Sequence, residues 1–103
     1  MYEKRILLKN EKDICFFQAE TGRVFSIINK ASSFENRHSL SYLEKHLSDR
    51  FFRCHKNYLI NLDKVLEVTP WFNSTLMLKL ESWEGTVPVS RKYIKEFKQI
   101  IGW

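Results

Sequence analysis

The sequence has 103 residues, of which 44% are hydrophobic and 15% aromatic, with only three glycines and two prolines. This composition is typical of a globular chain and excludes a disordered tail or a collagen, and the length predicts a single domain over residues 1–103. Seventeen lysines and arginines against 12 acids give a formal net charge of +5, which favours an anionic partner such as nucleic acid or an anionic membrane surface.

The two cysteines, Cys15 and Cys54, lie inside apolar runs and lack the spacing of metal ligands. We expect both to be reduced core residues, and we expect neither a metal site nor another cofactor. No apolar run approaches the roughly 18 residues of a membrane-spanning helix, and the apolar stretch at residues 6–8 is too short for a signal peptide. We therefore expect a cytoplasmic chain without a membrane partner.

Short apolar blocks in the first third of the chain are separated by charged and turn residues. They predict strands at residues 6–8, 14–17 and 24–28, arranged as a meander, with Ser32 and Ser33 in a turn. Between residues 39 and 47 leucines recur at spacings of three and four, which predicts a short amphipathic helix. Ser41 stands three residues before Glu44 and suggests a capping box there.

The second half predicts four further strands and a helix. Residues 50–69 indicate a strand, a bend, a turn near residues 61–64 and a second strand that Pro70 ends. Residues 75–80 and 86–89 predict two more strands, with Pro88 at an edge or a bulge. The tail predicts a helix that Ser90 caps and Gly102 ends, and its apolar face comprises Tyr93, Ile94, Phe97, Ile100 and Ile101.

The positive charge is concentrated in two short segments. Residues 50–57 and residues 89–103 each carry a net charge of +3. Arg91 and Lys92 directly follow the Ser90 cap, where cations oppose the helix dipole by about 0.3–1 kcal/mol each. Because a helix N-terminus already attracts anions, these two cations suit a phosphate or base-edge site, while solvated surface charge is the alternative.

The segment from Arg53 to Asn57 is the second candidate site. In an extended chain Arg53, His55 and Asn57 share one face, so either a bend follows His55 or the Lys56 stem reaches past the sheet edge. We expect His55 to be hydrogen-bonded within the sheet. Cys54 and His55 would point to opposite faces and cannot form a nucleophile and base pair. No phosphate loop or hydrolase motif occurs either, so we expect no enzymatic activity.

Two motifs together resemble a known family. Residues 51–65 (FFRCHKNYLINLDKV) and residues 87–93 (VPVSRKY) are similar to the paired motifs of the LytTR family of bacterial DNA-binding domains, and the resemblance extends from about residue 6 to residue 101. It implies an elongated, mainly β stack of small, mostly antiparallel sheets with a short mid-chain helix and a C-terminal helix. Such domains are usually output modules of response regulators in two-component systems.

The resemblance also implies which residues contact DNA. Base contacts fall on Arg23 or its neighbour, on Lys56 and on Arg91. Much of the family has Arg or Asn at the position of Lys56, and lysine, as a point charge, discriminates bases less strictly. From their chemistry, four further residues suit contacts to phosphates: Asn57, Asn73, Ser90 and Lys92.

The predicted function is therefore sequence-specific binding of double-stranded promoter DNA in transcriptional regulation. The resemblance implies loops that contact successive major grooves at direct repeats, a second copy on the adjacent repeat, and a receiver domain and sensor kinase in a longer regulator. The alternatives are a module for single-stranded nucleic acid and a protein-interaction domain with a basic face. Trp71 and Phe72 are expected to pack in the core or a loop, since exposed stacking would indicate single strands.

Overall fold

Eight strands and two α-helices make up the part of the chain that our computed structural model describes, residues 11–103. A single-turn 3₁₀ segment, Glu11–Asp13, precedes the first strand, and two more, Leu62–Lys64 and Phe72–Ser74, each connect two strands. The strand predicted at residues 6–8 lies outside the described residues. In chain order the elements are β1 (Phe16–Glu20), β2 (Arg23–Asn29), β3 (Ser32–Asn36), α1 (Leu40–His46), β4 (Phe51–His55), β5 (Tyr58–Asn61), β6 (Val65–Trp71), β7 (Thr75–Leu80), β8 (Thr86–Val89) and α2 (Arg91–Ile101).

The strands form two antiparallel sheets. The first has the order β3-β2-β1-β5-β4 and the second the order β6-β7-β8. The described chain measures 41 × 26 × 24 Å. The predicted mainly β, elongated architecture with a mid-chain and a C-terminal helix is confirmed.

Both faces of the five-stranded sheet are covered by other elements. Successive side chains of a strand point to opposite faces, so neighbouring apolar residues enter two different cores. Phe16 faces a core shared with the second sheet and with Phe97 of α2. Phe17 faces the other way, onto Leu40 and Leu43 of α1. The layers are therefore α1, the five-stranded sheet, and the three-stranded sheet with α2.

The predicted capping box of α1 is wrong. Ser39, in extended conformation, is the N-cap, and its hydroxyl accepts a hydrogen bond from the Tyr42 amide at 3.1 Å. Ser41 lies inside the helix, and Glu44 pairs with Arg53 instead of closing a box. Ser39 and not Ser41 is the N-cap because it directly precedes Leu40, the first buried residue of the helix.

Two strand predictions also need correction. Ser32 and Ser33 belong to β3, not to a turn, and this polar strand forms a sheet edge. Pro70 does not end its strand, since β6 continues to Trp71. Proline is tolerated there because β6 is an edge strand and needs no further ladder bond. Pro88 lies in the edge strand β8, as predicted.

The C-terminal helix is confirmed, but its apolar face is shorter than predicted. Phe97 is fully buried, and its ring centroid lies 5.8 Å from that of Phe52. Ile100 and Ile101 are 47% and 40% exposed. Gly102 ends the helix with φ +77°, the left-handed conformation that glycine adopts without strain.

We expect Phe97→Ala to lower the free energy of unfolding by about 3–5 kcal/mol, because it leaves a cavity between α2 and the sheets. Ile100→Ala, on the same helix but half exposed, should cost less than about 1 kcal/mol. Urea denaturation followed by circular dichroism measures both. Equal losses in the two variants would contradict the assignment of Phe97 as the residue that anchors α2.

Candidate nucleic-acid interface

Four chain segments meet at one end of the two sheets, which we call the turn end. They are the β1–β2 turn (residues 21–22), the β4–β5 turn (residues 56–57), the β6–β7 tip (Phe72–Ser74) and the start of α2 (residues 90–92). All four cationic residues predicted to contact bases or phosphates lie on or beside one of these segments: Arg23, Lys56, Arg91 and Lys92.

Two backbone hydrogen bonds and one strand register bring these segments together. The Ala19 amide donates to the Asn57 carbonyl at 2.9 Å, which places the β1–β2 turn beside the β4–β5 turn. The Ser90 amide donates to the Cys54 carbonyl at 3.0 Å, which places the start of α2 beside the β4–β5 turn. Leu76 pairs with Val89, so the β6–β7 tip lies next to Ser90.

Arg23 follows a tight turn in which Thr21 and Gly22 both have positive φ, 49° and 80°, as a type I′ hairpin requires. Its Nε lies 3.1 Å from Oε2 of Glu35, and both side chains are at least half exposed. An exposed ion pair of this kind contributes about 0–1 kcal/mol. Arg23 can therefore exchange Glu35 for another hydrogen-bond acceptor at small cost.

The Arg53 side chain stabilises the β4–β5 turn by hydrogen bonds to its backbone carbonyls. Its Nε donates to the His55 carbonyl at 3.0 Å and its Nη2 to the Lys56 carbonyl at 2.7 Å, while Nη1 lies 3.1 Å from Glu44. Of the two alternatives that the sequence left open for this segment, the chain adopts the bend after His55, and Lys56 is exposed in the turn. We did not predict this positioning role of Arg53, although its place on one strand face with His55 was visible in the sequence.

His55 completes the same turn as a hydrogen-bond acceptor. Its Nδ1 accepts from the Asn57 amide at 3.0 Å, which confirms the expected hydrogen bond within the sheet. Burial lowers the pKa of His55, and the positive charges of Lys56 and Arg53 lower it further. The ring is therefore neutral at neutral pH, the state in which Nδ1 can accept.

The start of α2 combines two exposed cations with an uncapped helix end. Ser90 occupies the N-cap position, but its side chain makes no capping hydrogen bond, and the first turn contains no acid. Arg91 and Lys92 are exposed, and neither forms an ion pair with any acid among residues 11–103. This leaves helix amides, a hydroxyl and two cations facing the same solvent region.

The β6–β7 tip differs from our expectation. Asn73 is exposed and adopts the left-handed conformation, with φ 56° and ψ 38°. Trp71 and Phe72 are 51% and 74% exposed, and their ring centroids lie 5.4 Å apart. The two rings contact each other in solvent, so the prediction that they pack in the core or a loop is wrong.

The three cations of residues 50–57 are close in sequence but do not form one positive patch in the structure. Arg50 pairs with Asp63 at the opposite end of β4. Arg53 is committed to the turn and to Glu44, with a side chain only 16% exposed. Of the three cations in this segment, Lys56 alone projects from the turn end without an acidic partner among the described residues.

The remaining expectations concern cysteines, metals and membranes. Cys15 and Cys54 are free and buried, as predicted. Residues 11–103 contain no group of three or more histidines, cysteines or acids that could hold a metal ion. Within the same range, no helix is long and apolar enough to cross a membrane.

Comparison with known proteins agrees with the fold and with the motifs. The model of the LytTr DNA-binding domain matches residues 4–102, and the chain belongs to this family. It is 33% identical over 99 residues to the transcriptional regulatory protein YpdB of Escherichia coli K12, covering 96% of this chain and 41% of YpdB. It is 34% identical over 97 residues to the sensory transduction protein LytT of Bacillus subtilis, covering 93% and 39%.

A solved LytTr DNA-binding domain from Bacillus cereus has the same fold. It superposes with a TM-score of 0.81 at 24% identity, over 89% of this chain and 84% of that one. The chain spans about 40% of the length of the curated relatives named above. The resemblance stated from the two motifs is confirmed.

The lowered pKa of His55 predicts a pH dependence of stability. As the pH falls through the ordinary histidine value, about 6.5, the unfolded chain takes up a proton before folded His55 does, so the free energy of unfolding decreases. We expect His55→Asn, which keeps an acceptor for the Asn57 amide, to show a smaller decrease. Urea titrations between about pH 7.5 and pH 5 measure this, and parallel curves for the two proteins would contradict it.

Proposed function

We propose that the turn end binds double-stranded promoter DNA and recognises its sequence, in the regulation of transcription. The observation that supports this most directly is the gathering of Lys56, Arg91 and Lys92, exposed and without acidic partners among residues 11–103, at one end of the sheets. Cations on protruding segments can enter a groove, where base edges are read, as well as contact phosphates.

Arg91 is the main base contact in this proposal. Its guanidinium can donate two parallel hydrogen bonds to O6 and N7 of guanine, the commonest specific contact in the major groove. Its position directly after Ser90 fixes its backbone, because the Ser90 amide is bound to the buried β4 strand. Because the Arg91 backbone is held in place, its guanidinium can reach only a limited set of base positions, which favours recognition of one base.

Lys56 and Arg23 are the two further base contacts. Lys56 lies at the apex of a turn that Arg53 and His55 hold rigid. Arg23 must first leave Glu35, which an exposed pair permits. The two turns lie on neighbouring hairpins of one sheet, so a groove that admits one brings the other close to the same duplex.

Polar groups between the cations suit the phosphates. Ser90 has no capping duty, Lys92 is exposed beside it, and Asn73 is exposed on the neighbouring tip. The Asn57 backbone is already bonded on both sides, so its side-chain amide is the part that can donate to DNA. Together with the helix amides these groups would fix the orientation of the domain on the duplex.

The wider context is suggested by the two relatives named above, one a transcriptional regulatory protein and the other a sensory transduction protein. We propose that residues 1–103 act as one DNA-binding unit, that a second copy occupies an adjacent direct repeat, and that a receiver domain and its sensor kinase control the unit in a longer regulator.

The deciding experiment is selection from a randomised duplex library followed by sequencing, with single strands of the recovered sequences tested in parallel. We expect a short repeated motif and binding to duplex that exceeds binding to either strand. Equal or tighter binding to the single strands would overturn the proposal and favour the stacking function that exposed Trp71 and Phe72 could serve.

We expect Arg91→Ala to weaken binding to the selected duplex by about 1–3 kcal/mol and to relax the preference at one base position. Lys79→Ala removes an exposed cation from the middle strand of the second sheet, beyond the turn end, and serves as the control. Fluorescence anisotropy with single-base variants of the duplex measures both. Full specific affinity of Arg91→Ala would refute this assignment.

Lys92→Ala should instead weaken binding to every duplex alike, because a phosphate contact carries no sequence information. The slope of log Kd against log salt should fall by about one, the value expected for one lost phosphate contact. Titrations at several salt concentrations measure it. An unchanged slope with a changed base preference would place Lys92 on a base edge.

A further inference from the structure

Trp71 and Phe72 form an exposed aromatic pair that the contacts proposed above do not use. Phe72, at 74% exposure, is more exposed than any other large hydrophobic residue among residues 11–103, and its ring contacts Trp71 at 5.4 Å between centroids. Two exposed rings in contact with each other form a small contiguous apolar patch, and contiguous exposed apolar patches mark interaction sites.

The tip that carries this pair is rigidly built. Asn73 and Ser74 both have positive φ, 56° and 60°, a conformation that costs energy for residues other than glycine. The Thr75 hydroxyl donates to the Phe72 carbonyl at 2.6 Å, and Trp71 pairs with Thr75 across the hairpin. These contacts define a tight turn that places both rings at the end of the sheet.

That place adjoins the start of α2. The register that pairs Leu76 with Val89 sets Thr75 beside Ser90, and Trp71 lies one strand further on. Two strand spacings of about 4.8 Å put the Trp71 backbone about 10 Å from that of Ser90. Residues 68–78, which include the tip, carry no charge, so no acidic side chain at the tip itself repels DNA phosphates.

We infer that Trp71 and Phe72 contact the minor groove that flanks the major groove entered by Arg91, an inference that rests on the proposed function. The major groove is about 12 Å wide, so a step of about 10 Å across it, taken from a residue near its centre, passes the bounding backbone and reaches the next groove. Apolar side chains inserted there partly unstack a base step and bend the duplex. Asn73 and Ser74 lie where they can donate to the phosphates crossed.

The test compares Phe72→Ala and the double variant Trp71→Ala/Phe72→Ala with the unchanged chain, on the duplex recovered by selection. Trp103→Ala is the matched control, since Trp103 is 57% exposed but follows the far end of α2. We expect the double variant to bind on the order of tenfold more weakly, and Phe72→Ala to lie between it and the unchanged chain. Trp103→Ala should bind normally, and circular dichroism should show all variants folded.

Two readouts report on the minor groove itself. Energy transfer between dyes at the duplex ends should show less bending with the double variant than with the unchanged chain. Replacing flanking G·C pairs by inosine·C removes only the guanine amino group in the minor groove, so we expect tighter binding by the unchanged chain and no gain for the double variant. Unchanged affinity and bending, or the same gain in both proteins, would overturn the inference.

The outcomes separate this inference from the proposed function. If the unchanged chain selects no duplex, the proposed function itself fails. If Arg91→Ala loses specificity while the double variant retains affinity and bending, only the aromatic contact is refuted. An effect of the double variant confined to single strands, or to self-association in sedimentation velocity, would also refute it, because the pair would then serve unpaired bases or a second copy.

Discussion

The hydrogen bond from the Ser90 amide to the Cys54 carbonyl joins the two sheets, and the turn end depends on it. The Cys54 thiol adds a contact to the Pro88 carbonyl, and Cys15 makes the same kind of contact to the Glu81 carbonyl at the opposite end of the sheets, both at 3.4 Å. Burial raises the pKa of Cys15 to about 11 and that of Cys54 to about 12. Both thiols therefore stay protonated at neutral pH and can donate, so each cysteine fastens one end of the sandwich.

The cations divide into those that hold the structure and those that face solvent. Arg53 uses the planar fork of its guanidinium to bind two carbonyls of the turn and Glu44, which a lysine could not do. Lys56, in contrast, is exposed in the β4–β5 turn, where a long side chain that carries a positive charge is sufficient to contact an anion. Arg91 and Lys92 oppose the dipole of α2, and no ion pair within residues 11–103 offsets that cost, although Lys92 Nζ lies 5.5 Å from the centroid of the Tyr93 ring. Such a local conflict with stability is expected where a surface is shaped by binding.

Periodicity predicted the elements well, because alternation and helical spacing follow directly from which side chains are buried. Periodicity failed where few side chains of an element are buried, and where the structure of a segment depends on pairing with strands distant in sequence. The polar strand β3 has no apolar alternation, and Pro70 is permitted only by its edge position. The cap of α1 depends on which of two serines precedes the first buried leucine. The turn end could not be predicted from spacing at all, since it requires β1 to pair with β5 and β8 to meet β4.

The layering argues for a duplex partner over an unpaired strand. Modules that bind single strands present an open sheet or groove on which several bases stack. Here α1 covers one face of the five-stranded sheet and the second sheet covers the other. The outer face of the three-stranded sheet carries a single aromatic residue on its strands, Trp71, at its very end. What lies at the turn end instead is a row of short protrusions, with Lys56 in the β4–β5 turn and Arg91 at the first position of α2, and such protrusions fit the grooves of a double helix.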